Sequence, residues 1–533
     1  GGTLVCAYLL LARECGATVP DATLLRVLRH FYRFAGRGNN PYGNNRPESS
    51  FVDNGKNGLI AFTMAAAASL TPEGEASVYA QARDAAAMTS FYTTGHMLHG
   101  HTGGGIGEIW RSAAMGLLHD KKPTQYRHFM DSRRFHYELS RRFDGSFAIL
   151  GGARYDNEEW GAGYALTYTV PHRTLRLTGA PPSKFSKPFA LPAQVWGTPA
   201  DDVFLSLEPA TLPGGGTLDL AGETLWDSGK ALIDRLNGAA RVDGVVPDEV
   251  LIAYAHHPEF LLRRIATHNM VGFRPTYMFD EAGDPVRPHL VTLMLRSPDP
   301  RVRHAMLRSM VTSYFRDGPE DLLKREQFDL AMAMIQSPEE SWTVKDAALQ
   351  LVGYAPVDWV VPHVDAILPF LEHEEWRLQN AAAGALSEAA ADPRTYEAVL
   401  PALGRFASTC PLWNAVAPLR GGRLPEALAE APLAVRQRAR EVFRDSYLQY
   451  DEVDTLPAEI NTQVNESNRE YLAESIARLP GGYEVLYAMA SQRYPDQPLP
   501  YRDIFLRAKH AELDPKLAGI IRTAILDDLI PQY

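Results

Sequence analysis

The chain has 533 residues, a net charge of −11 at pH 7, 45% hydrophobic residues and 22% charged residues. A chain of this length exceeds the size at which one hydrophobic core keeps growing, so two or three domains are expected. No stretch approaches the roughly 20 consecutive apolar residues of a membrane span, which predicts a soluble protein without one.

Charge is unevenly distributed along the chain. Residues 1–180 contain 19 Lys and Arg against 15 Asp and Glu, whereas the remainder contains 34 against 49. A basic stripe for nucleic acid is therefore not expected, although the first part could accept an anionic small substrate. The three cysteines, Cys6, Cys15 and Cys410, are too few for a disulfide framework and have no zinc-site spacing, so we predict no metal and no cofactor.

The first 180 residues repeat a pattern of glycine-rich loop, apolar helix, turn and more amphipathic helix. Apolar helices are predicted over Leu4 to Ala12, Leu59 to Leu70 and Ile106 to Leu118, and their composition predicts burial on all sides. Helices over residues 24–31 and 126–139 have one apolar stripe instead. The repeat length of roughly 50 residues and this alternation predict the inner and outer helices of a partial (α/α) toroid.

The chain opens with Gly1 and Gly2 directly before the first apolar helix and has no basic n-region there. This start is typical of a chain that begins at the head of a buried helix. We therefore expect an upstream segment, which could include an export signal.

Residues 181–230 are rich in Pro and Gly and predict a linker at the main domain boundary. Within it, Val203 to Leu207 and Thr217 to Leu220 could pair as two short strands.

A second repeat follows over residues 231–410, where polar turns recur every 35 to 41 residues, each before an amphipathic helix. The turns lie at 256–259, 297–300, 337–340 and 372–375. This pattern predicts a HEAT-like α-solenoid, and residues 411–533 are predicted to form its C-terminal helical cap. The fold class is therefore all-α.

In an (α/α) toroid the loops that lead into the inner helices converge above a central pocket. Three of these loops are unusually polar, and they supply our candidate residues. The candidate catalytic residues are Asp53, Glu108, Asp156, Glu159 and His101. The candidate substrate-binding residues are Asn54, Lys56, Asn57, His96, His99, Tyr155 and Trp160.

Each candidate also has a structural explanation. Asp53 could cap the following helix, because Asp accepts the free N–H groups of a first turn. Glu108 could pair with Arg111 on the same helix. The acids at 156–159 could form an exposed acidic loop. The histidines could line a pocket or donate hydrogen bonds, and no paired-carboxylate motif favours a metal.

Two carboxylates from different loops would suit glycoside hydrolysis or lyase chemistry, in which one acid protonates the leaving oxygen and a second group acts as base or nucleophile. No Walker loop, Gly-x-Ser-x-Gly elbow or HExxH motif occurs. The leading hypothesis is a carbohydrate-active enzyme that acts on a glycan or another small molecule. The alternative is a non-catalytic helical-repeat scaffold that binds a protein partner on the HEAT-like array.

Four strings in the first 210 residues or so resemble an uncharacterised family of bacterial proteins. The strings lie at 53–58, 100–103, 142–147 and 195–198. The resemblance implies an (α/α) toroid joined to helical repeats, often behind an export signal and a PDZ domain, and it implies an exported or periplasmic location. It implies no established activity, and the compartment stays open.

The toroid is more distantly similar to those of terpenoid cyclases, prenyltransferase subunits, glycoside hydrolases and polysaccharide lyases. This chain has only about three and a half hairpins, whereas a full ring needs six. It also lacks the DxDD-type acid string of the cyclases, which favours the glycan-acting enzymes among these relatives. Similarity of fold is only a weak guide to function.

Overall fold

The computed structural model describes residues 2–41, 43, 45–47, 55–93, 107–145, 167–182, 184, 186, 190–225, 229–274, 276, 281–315, 323–410, 413–420, 423–450, 476, 479 and 482. Within these residues the chain is mostly helical and has a single two-stranded sheet. The predicted all-α class is confirmed.

Contacts divide the chain into two units, Gly1–Leu322 with Glu339–Val344, and Leu323–Pro338 with Lys345–Tyr533. The predicted boundaries at 180, 230 and 410 stay predictions. The helices of the first unit are α1 (Gly2–Glu14), α2 (Asp21–Tyr32), α3 (Lys56–Ala68), α4 (Val78–Tyr92), α5 (Gly107–Gly116), α6 (Pro123–Ser140), α7 (Pro199–Asp202), α8 (Gly229–Asn237), α9 (Asp248–Ala255), α10 (Phe260–Met270), α11 (Pro288–Leu295) and α12 (Pro300–Phe315). The remaining helices are α13 (Arg325–Gln336), α14 (Trp342–Val352), α15 (Val357–Val360), α16 (Val364–Ile367), α17 (Trp376–Ala385), α18 (Tyr396–Thr409), α19 (Trp413–Arg420), α20 (Arg423–Glu430) and α21 (Leu433–Leu448).

Helices α3 and α4 form the centre of the first unit. Both are rich in alanine, whose small side chain lets two helix backbones approach closely. Every residue of α4 except Val78 and Gln81 is buried. Helix α4 therefore lies in the core, where it can carry polar side chains into a buried site.

Two glycines of the string at 53–58 allow α3 to pack directly on α5. Gly55 has a φ of 77°, and a Cβ atom there would lie 2.6 Å from the Cα of Gly107. A Cβ on Gly58 would overlap the backbone carbonyl of Trp110. The glycines are therefore required where the two backbones touch, which explains this part of the string by packing.

Helix α1 is less buried than its composition predicts. The side chains of Val5 and Tyr8 are 51% and 65% exposed. The prediction of burial on all sides is wrong for this helix, because its packing partners among the described residues, chiefly α2 and α3, cover only part of its surface.

The predicted strand pair in the 181–230 segment is also wrong. Val203–Leu205 is a short 3-10 helix, and residues 217–220 have no regular structure. The backbone of Val203–Leu205 directly continues the helical turn of α7, which ends at Asp202, and this conformation buries Phe204 and Leu205 to 1% exposure each. The sheet lies instead at Val271–Arg274 and Glu281–Val286, which pair antiparallel.

Asp201 is a fully buried acid whose carboxylate accepts several hydrogen bonds. Its carboxylate accepts hydrogen bonds from the Ser341 hydroxyl (2.7 Å), the Trp342 backbone N–H (2.9 Å) and the Thr343 hydroxyl (2.8 Å). It also accepts the backbone N–H of Thr198 at 2.9 Å. These donors fix the segment 198–205 against residues 341–343 of the same unit.

The string at 195–198 is explained by the same contact. Trp196 is buried and lies edge-to-face against Trp342, with ring centroids 5.6 Å apart. Gly197 has a φ of 78°, and a Cβ atom there would lie 2.7 Å from the carboxylate of Asp201. The glycine therefore gives the carboxylate room to reach its donors.

All four predicted polar turns fall at helix junctions. Residues 256–259 lie between α9 and α10, 297–300 lead into α12, 337–340 lie between α13 and α14, and 372–375 lead into α17. The assignment of these helices to the HEAT class stays a prediction.

We expect Gly58→Ala to lower the free energy of unfolding by about 1–3 kcal/mol, because the new methyl group would push α3 away from α5. Gly384→Ala is the matched control, since Gly384 is also helical and has open space around it. That change should raise stability by up to about 1 kcal/mol through helix propensity. Equal effects of the two changes in chemical denaturation would contradict the packing role of Gly58.

Candidate functional sites

Most of the predicted site residues lie outside the described part of the chain, so their roles stay predictions. These residues are Asp53, Asn54, His96, His99, His101, Tyr155, Asp156, Glu159 and Trp160. Glu108 lies in α5, but its side chain is outside the description.

Two predicted substrate-binding residues, Lys56 and Asn57, are described, in the first turn of α3. Asn57 is 2% exposed, and its amide donates to the Asn39 side-chain oxygen at 2.6 Å. Its own oxygen accepts the backbone N–H of Asn40 at 3.4 Å. Asn57 therefore ties the loop after α2 to α3. Lys56 beside it is half-buried. A role in substrate binding stays a prediction for both.

The structure brings together four other polar residues in the first unit, which we name the acid–histidine cluster: Tyr92, Glu223, His257 and Glu259. All four are at most 8% exposed. Tyr92 ends α4, Glu223 comes from the 181–230 segment, and the other two lie in the turn between α9 and α10. A site built from three separate segments requires the tertiary fold.

Glu223 is the acceptor at the centre of the cluster. One carboxylate oxygen accepts the hydroxyl of Tyr92, and the other lies 3.0 Å from Nε2 of His257. The Nδ1 atom of His257 accepts the backbone N–H of Glu259 at 2.9 Å. Since Nδ1 is an acceptor, the proton of the neutral ring lies on Nε2, which donates to Glu223. Burial lowers the pKa of His257 although Glu223 favours the charged form, so the ring is neutral.

The pKa of Glu259 lies well above that of a free glutamate side chain. Burial raises its pKa to about 7, partly offset by the backbone N–H of Leu261, the charge of Arg263 and the hydroxyl of Thr89, whereas the charge of Glu223 raises it further. A carboxyl group with this pKa exchanges its proton near neutral pH, as a general acid or base must.

The hydrogen bonds around Glu259 fit both protonation states. The hydroxyl of Thr89 lies 3.0 Å from one oxygen of Glu259 and 3.2 Å from the carbonyl oxygen of Ala85. A hydroxyl has one proton to donate. Thr89 can therefore donate to an ionised Glu259, or accept from a protonated one and donate to Ala85. The second oxygen of Glu259 accepts the backbone N–H of Leu261 at 3.3 Å and caps α10.

A small cavity of about 20 Å³ adjoins the cluster. This volume is enough for about one water molecule. Its lining includes Tyr92, Glu223, Glu259, Lys122, Gln125 and Phe204. Two carboxyl groups, the amine of Lys122 and the amide of Gln125 therefore surround a cavity that has room for about one water molecule.

Sequence reasoning missed the acid–histidine cluster. In the sequence, the string at 256–259 predicts only a repeat turn, and Glu223 lies inside the predicted linker. Two adjacent histidines and an acid immediately before an apolar helix were the available signal. That signal does not identify the partner carboxylate, which lies 34 residues earlier along the chain.

The second unit contains a much larger concavity, a groove of about 670 Å³. Pockets of about 300–1,000 Å³ are typical of ligand sites. One wall is the helical segment 364–372, the other is α18, and Gln379 of α17 lies between them. The lining residues are Asp365, Leu368, Pro369, Leu371, Glu372, Gln379, Ala398, Ala402, Arg405, Phe406, Thr409 and Cys410.

The wall formed by α18 follows helical periodicity. Ala398, Ala402, Arg405 and Thr409 are spaced by four, three and four residues, which places them on one face of the helix. At the end of this helix the thiol of Cys410 contacts the side-chain oxygen of Gln379 at 3.7 Å. The groove is thus a continuous surface that three helical segments build together.

The described residues contain neither a metal site nor a membrane span. No group of three or more His, Cys, Asp and Glu side chains is placed to hold a metal ion there. No helix in that part of the chain is long and apolar enough to cross a membrane.

The protein is all-α, with the buried acid–histidine cluster in the first unit and an open groove in the second. Residues 1–179 match the family model of a domain of unknown function, DUF6288. No curated protein matches the sequence. Among solved structures the chain is similar to the crystal structure of an engineered protein, with 12% identity, 45% of this chain and 96% of that chain covered, and a TM-score of 0.31. A similarity this weak supports no conclusion on fold or function.

The raised pKa of Glu259 predicts a specific pH dependence of stability. The folded chain binds more protons at Glu259 than the unfolded chain between pH 4.5 and about 7. The stabilisation from this group is therefore full below pH 4.5 and is lost as pH rises through the folded-state pKa, by about 3 kcal/mol in total. We expect the difference in unfolding free energy between wild type and Glu259→Gln to fall by this amount across the window.

The lowered pKa of His257 has the opposite sign, because the folded chain binds fewer protons there below pH 6.5. That contribution is present in both proteins and cancels in the difference. Glu430→Gln on the exposed face of α20 is the control and should give a flat difference. A flat difference for Glu259→Gln as well would show that this carboxyl group titrates normally.

Proposed function

We propose that the chain is a helical-repeat binding protein whose second unit holds a polypeptide segment of a partner in the groove between residues 364–372 and α18. The size of this groove carries the proposal, because it is in the range of ligand sites whereas the cavity at the acid–histidine cluster takes about one water. The groove also has unneutralised charge on both walls, which suits a peptide better than an apolar small molecule.

The proposal includes the finer architecture that the sequence predicts. Residues 231–410 form a HEAT-like array and residues 1–180 part of an (α/α) toroid. The succession of helices joined at the four polar turns supports the array. The resemblance to exported bacterial proteins favours a periplasmic partner.

Filling the groove tests the binding function. Ala398 is an exposed groove residue of α18, so Ala398→Trp should block the groove without disturbing the core. Ala429→Trp places the same side chain on the exposed face of α20, away from the groove lining. We expect a partner identified by crosslinking and mass spectrometry to bind the purified wild type and Ala429→Trp, and to bind Ala398→Trp at least about tenfold more weakly. Equal affinities for all three proteins would refute the groove as the binding site.

A carbohydrate-active enzyme of hydrolase or lyase type is our second candidate function. The observation that favours it is the pair Glu259 and Glu223, in which one carboxyl group holds a proton near neutral pH and the other accepts two hydrogen bonds. Paired acids in unequal environments are how such enzymes divide the acid and base roles. Under this candidate the predicted residues Asp53, Glu108, Asp156, Glu159 and His101 supply further catalytic groups at the toroid loops.

The enzyme candidate predicts turnover of at least one glycan. In assays of reducing-end release and of unsaturated product over a panel of polysaccharides, Glu259→Gln and Asp53→Asn should each lower kcat by about 100-fold or more. Glu430→Gln should leave the rate unchanged. No turnover with any glycan, or equal rates for all variants, would exclude this candidate.

A further inference from the structure

The groove of the second unit is acidic. Residues 357–410 contain eight Asp and Glu but only three Arg and no Lys. Two of the arginines are already engaged, because Arg394 pairs with Asp358 and Asp392 at 2.6 Å and Arg377 is 5% exposed. The third, Arg405, lines the groove. The local charge is thus negative, and most of the balancing cations are used away from the groove.

The acidic charge faces the groove from one wall. Asp365 and Glu372 are both exposed and both line it. Within the described residues neither carboxylate forms an ion pair. They are seven residues apart along a helical segment, which separates them by roughly 10–14 Å. Two basic side chains seven residues apart on an α-helix have a similar spacing, about 10.5 Å, and lie on the same face.

The opposite wall and the floor add two further requirements. Arg405 on α18 lines the groove and is exposed, and among the described residues it forms no ion pair with Asp365 or Glu372. The two walls therefore do not neutralise each other through an ion pair. Leu368 and Pro369, which also line the groove, keep part of their apolar surface accessible. An occupant must supply cations toward Asp365 and Glu372, an apolar side chain toward Leu368 and Pro369, and an anion toward Arg405.

We infer that the partner segment is an amphipathic helix with two basic side chains seven residues apart that face Asp365 and Glu372, an apolar stripe on Leu368 and Pro369, and an acidic group near Arg405. This inference rests on the proposed binding function of the groove. Nucleic acid does not fit, because its phosphates would meet the acidic wall.

A designed peptide tests the inference without knowledge of the natural partner. The probe is a fluorescein-labelled amphipathic helix of about 18 residues, with a leucine stripe and two lysines at i and i+7. A matched peptide carries glutamates at those two positions. Binding to the full chain is measured by fluorescence anisotropy at low and at high salt. We expect the lysine peptide to bind, and to bind more weakly at high salt, and the glutamate peptide not to bind.

Matched charge variants locate the binding. Asp365→Asn with Glu372→Gln should weaken the lysine peptide by about tenfold. Glu426→Gln with Glu430→Gln removes the same charge from the exposed face of α20 and should change nothing. Ala398→Trp should block the peptide.

The outcomes separate the inference from the function on which it rests. Suppose that Ala398→Trp blocks the lysine peptide but the Asp365/Glu372 double variant binds it normally. The groove then binds a polypeptide segment, as proposed, but the inferred contacts of basic side chains with Asp365 and Glu372 are wrong. Equal binding of the glutamate peptide, or no binding of the lysine peptide, also overturns the basic chemistry. If Ala398→Trp leaves peptide binding unchanged, the groove is not the binding site and the proposed function fails.

Discussion

The geometry of the first unit depends on the hydrogen bonds that the buried carboxylate of Asp201 accepts. An isolated carboxylate in a protein interior is strongly unfavourable, and it persists only when hydrogen-bond donors surround it. Here the donors come from its own turn and from residues 341–343. The segment that follows carries Phe204, which lines the small cavity and lies so close to Gly36 that no larger residue fits there. The hydrogen bonds of Asp201 therefore help to position a wall of the small cavity, although Asp201 itself does not line that cavity.

Glu259 in the acid–histidine cluster is also a buried carboxyl group, but it has fewer hydrogen-bond donors than Asp201. Asp201 is surrounded by donors to both of its oxygens, whereas Glu259 has only one hydroxyl and one backbone N–H, and a second carboxylate nearby. Burial favours the protonated form of Glu259, and the charge of Glu223 adds to this effect, while the two donors only partly offset it. The fold thus keeps one buried acid fully satisfied and another ready to exchange a proton. Such an exchange suits catalysis, but it equally makes stability depend on pH.

The two units favour different functions on physical grounds. The cavity of the first unit is of water size, and the polar groups of the acid–histidine cluster beside it are buried. The groove of the second unit is open, ligand-sized and charged on both walls. A binding role therefore follows more directly from the geometry than a catalytic one. The match to the DUF6288 model lies within the first unit, and that model is described as a domain of unknown function.

The sequence by itself determined the all-α class, the helix positions and the polar turns, because these depend on local periodicity and on Gly and Pro. It also marked Gly58 and Gly197 within distinctive strings, although only the structure shows that each avoids a collision. Val203 to Leu207 has the composition of a strand, whereas in the structure Val203–Leu205 continues the helical backbone of α7. The pairing of His257 with Glu223 and the groove at α18 were decided by tertiary structure alone, since hydrogen bonds and concavities join residues that no local pattern connects.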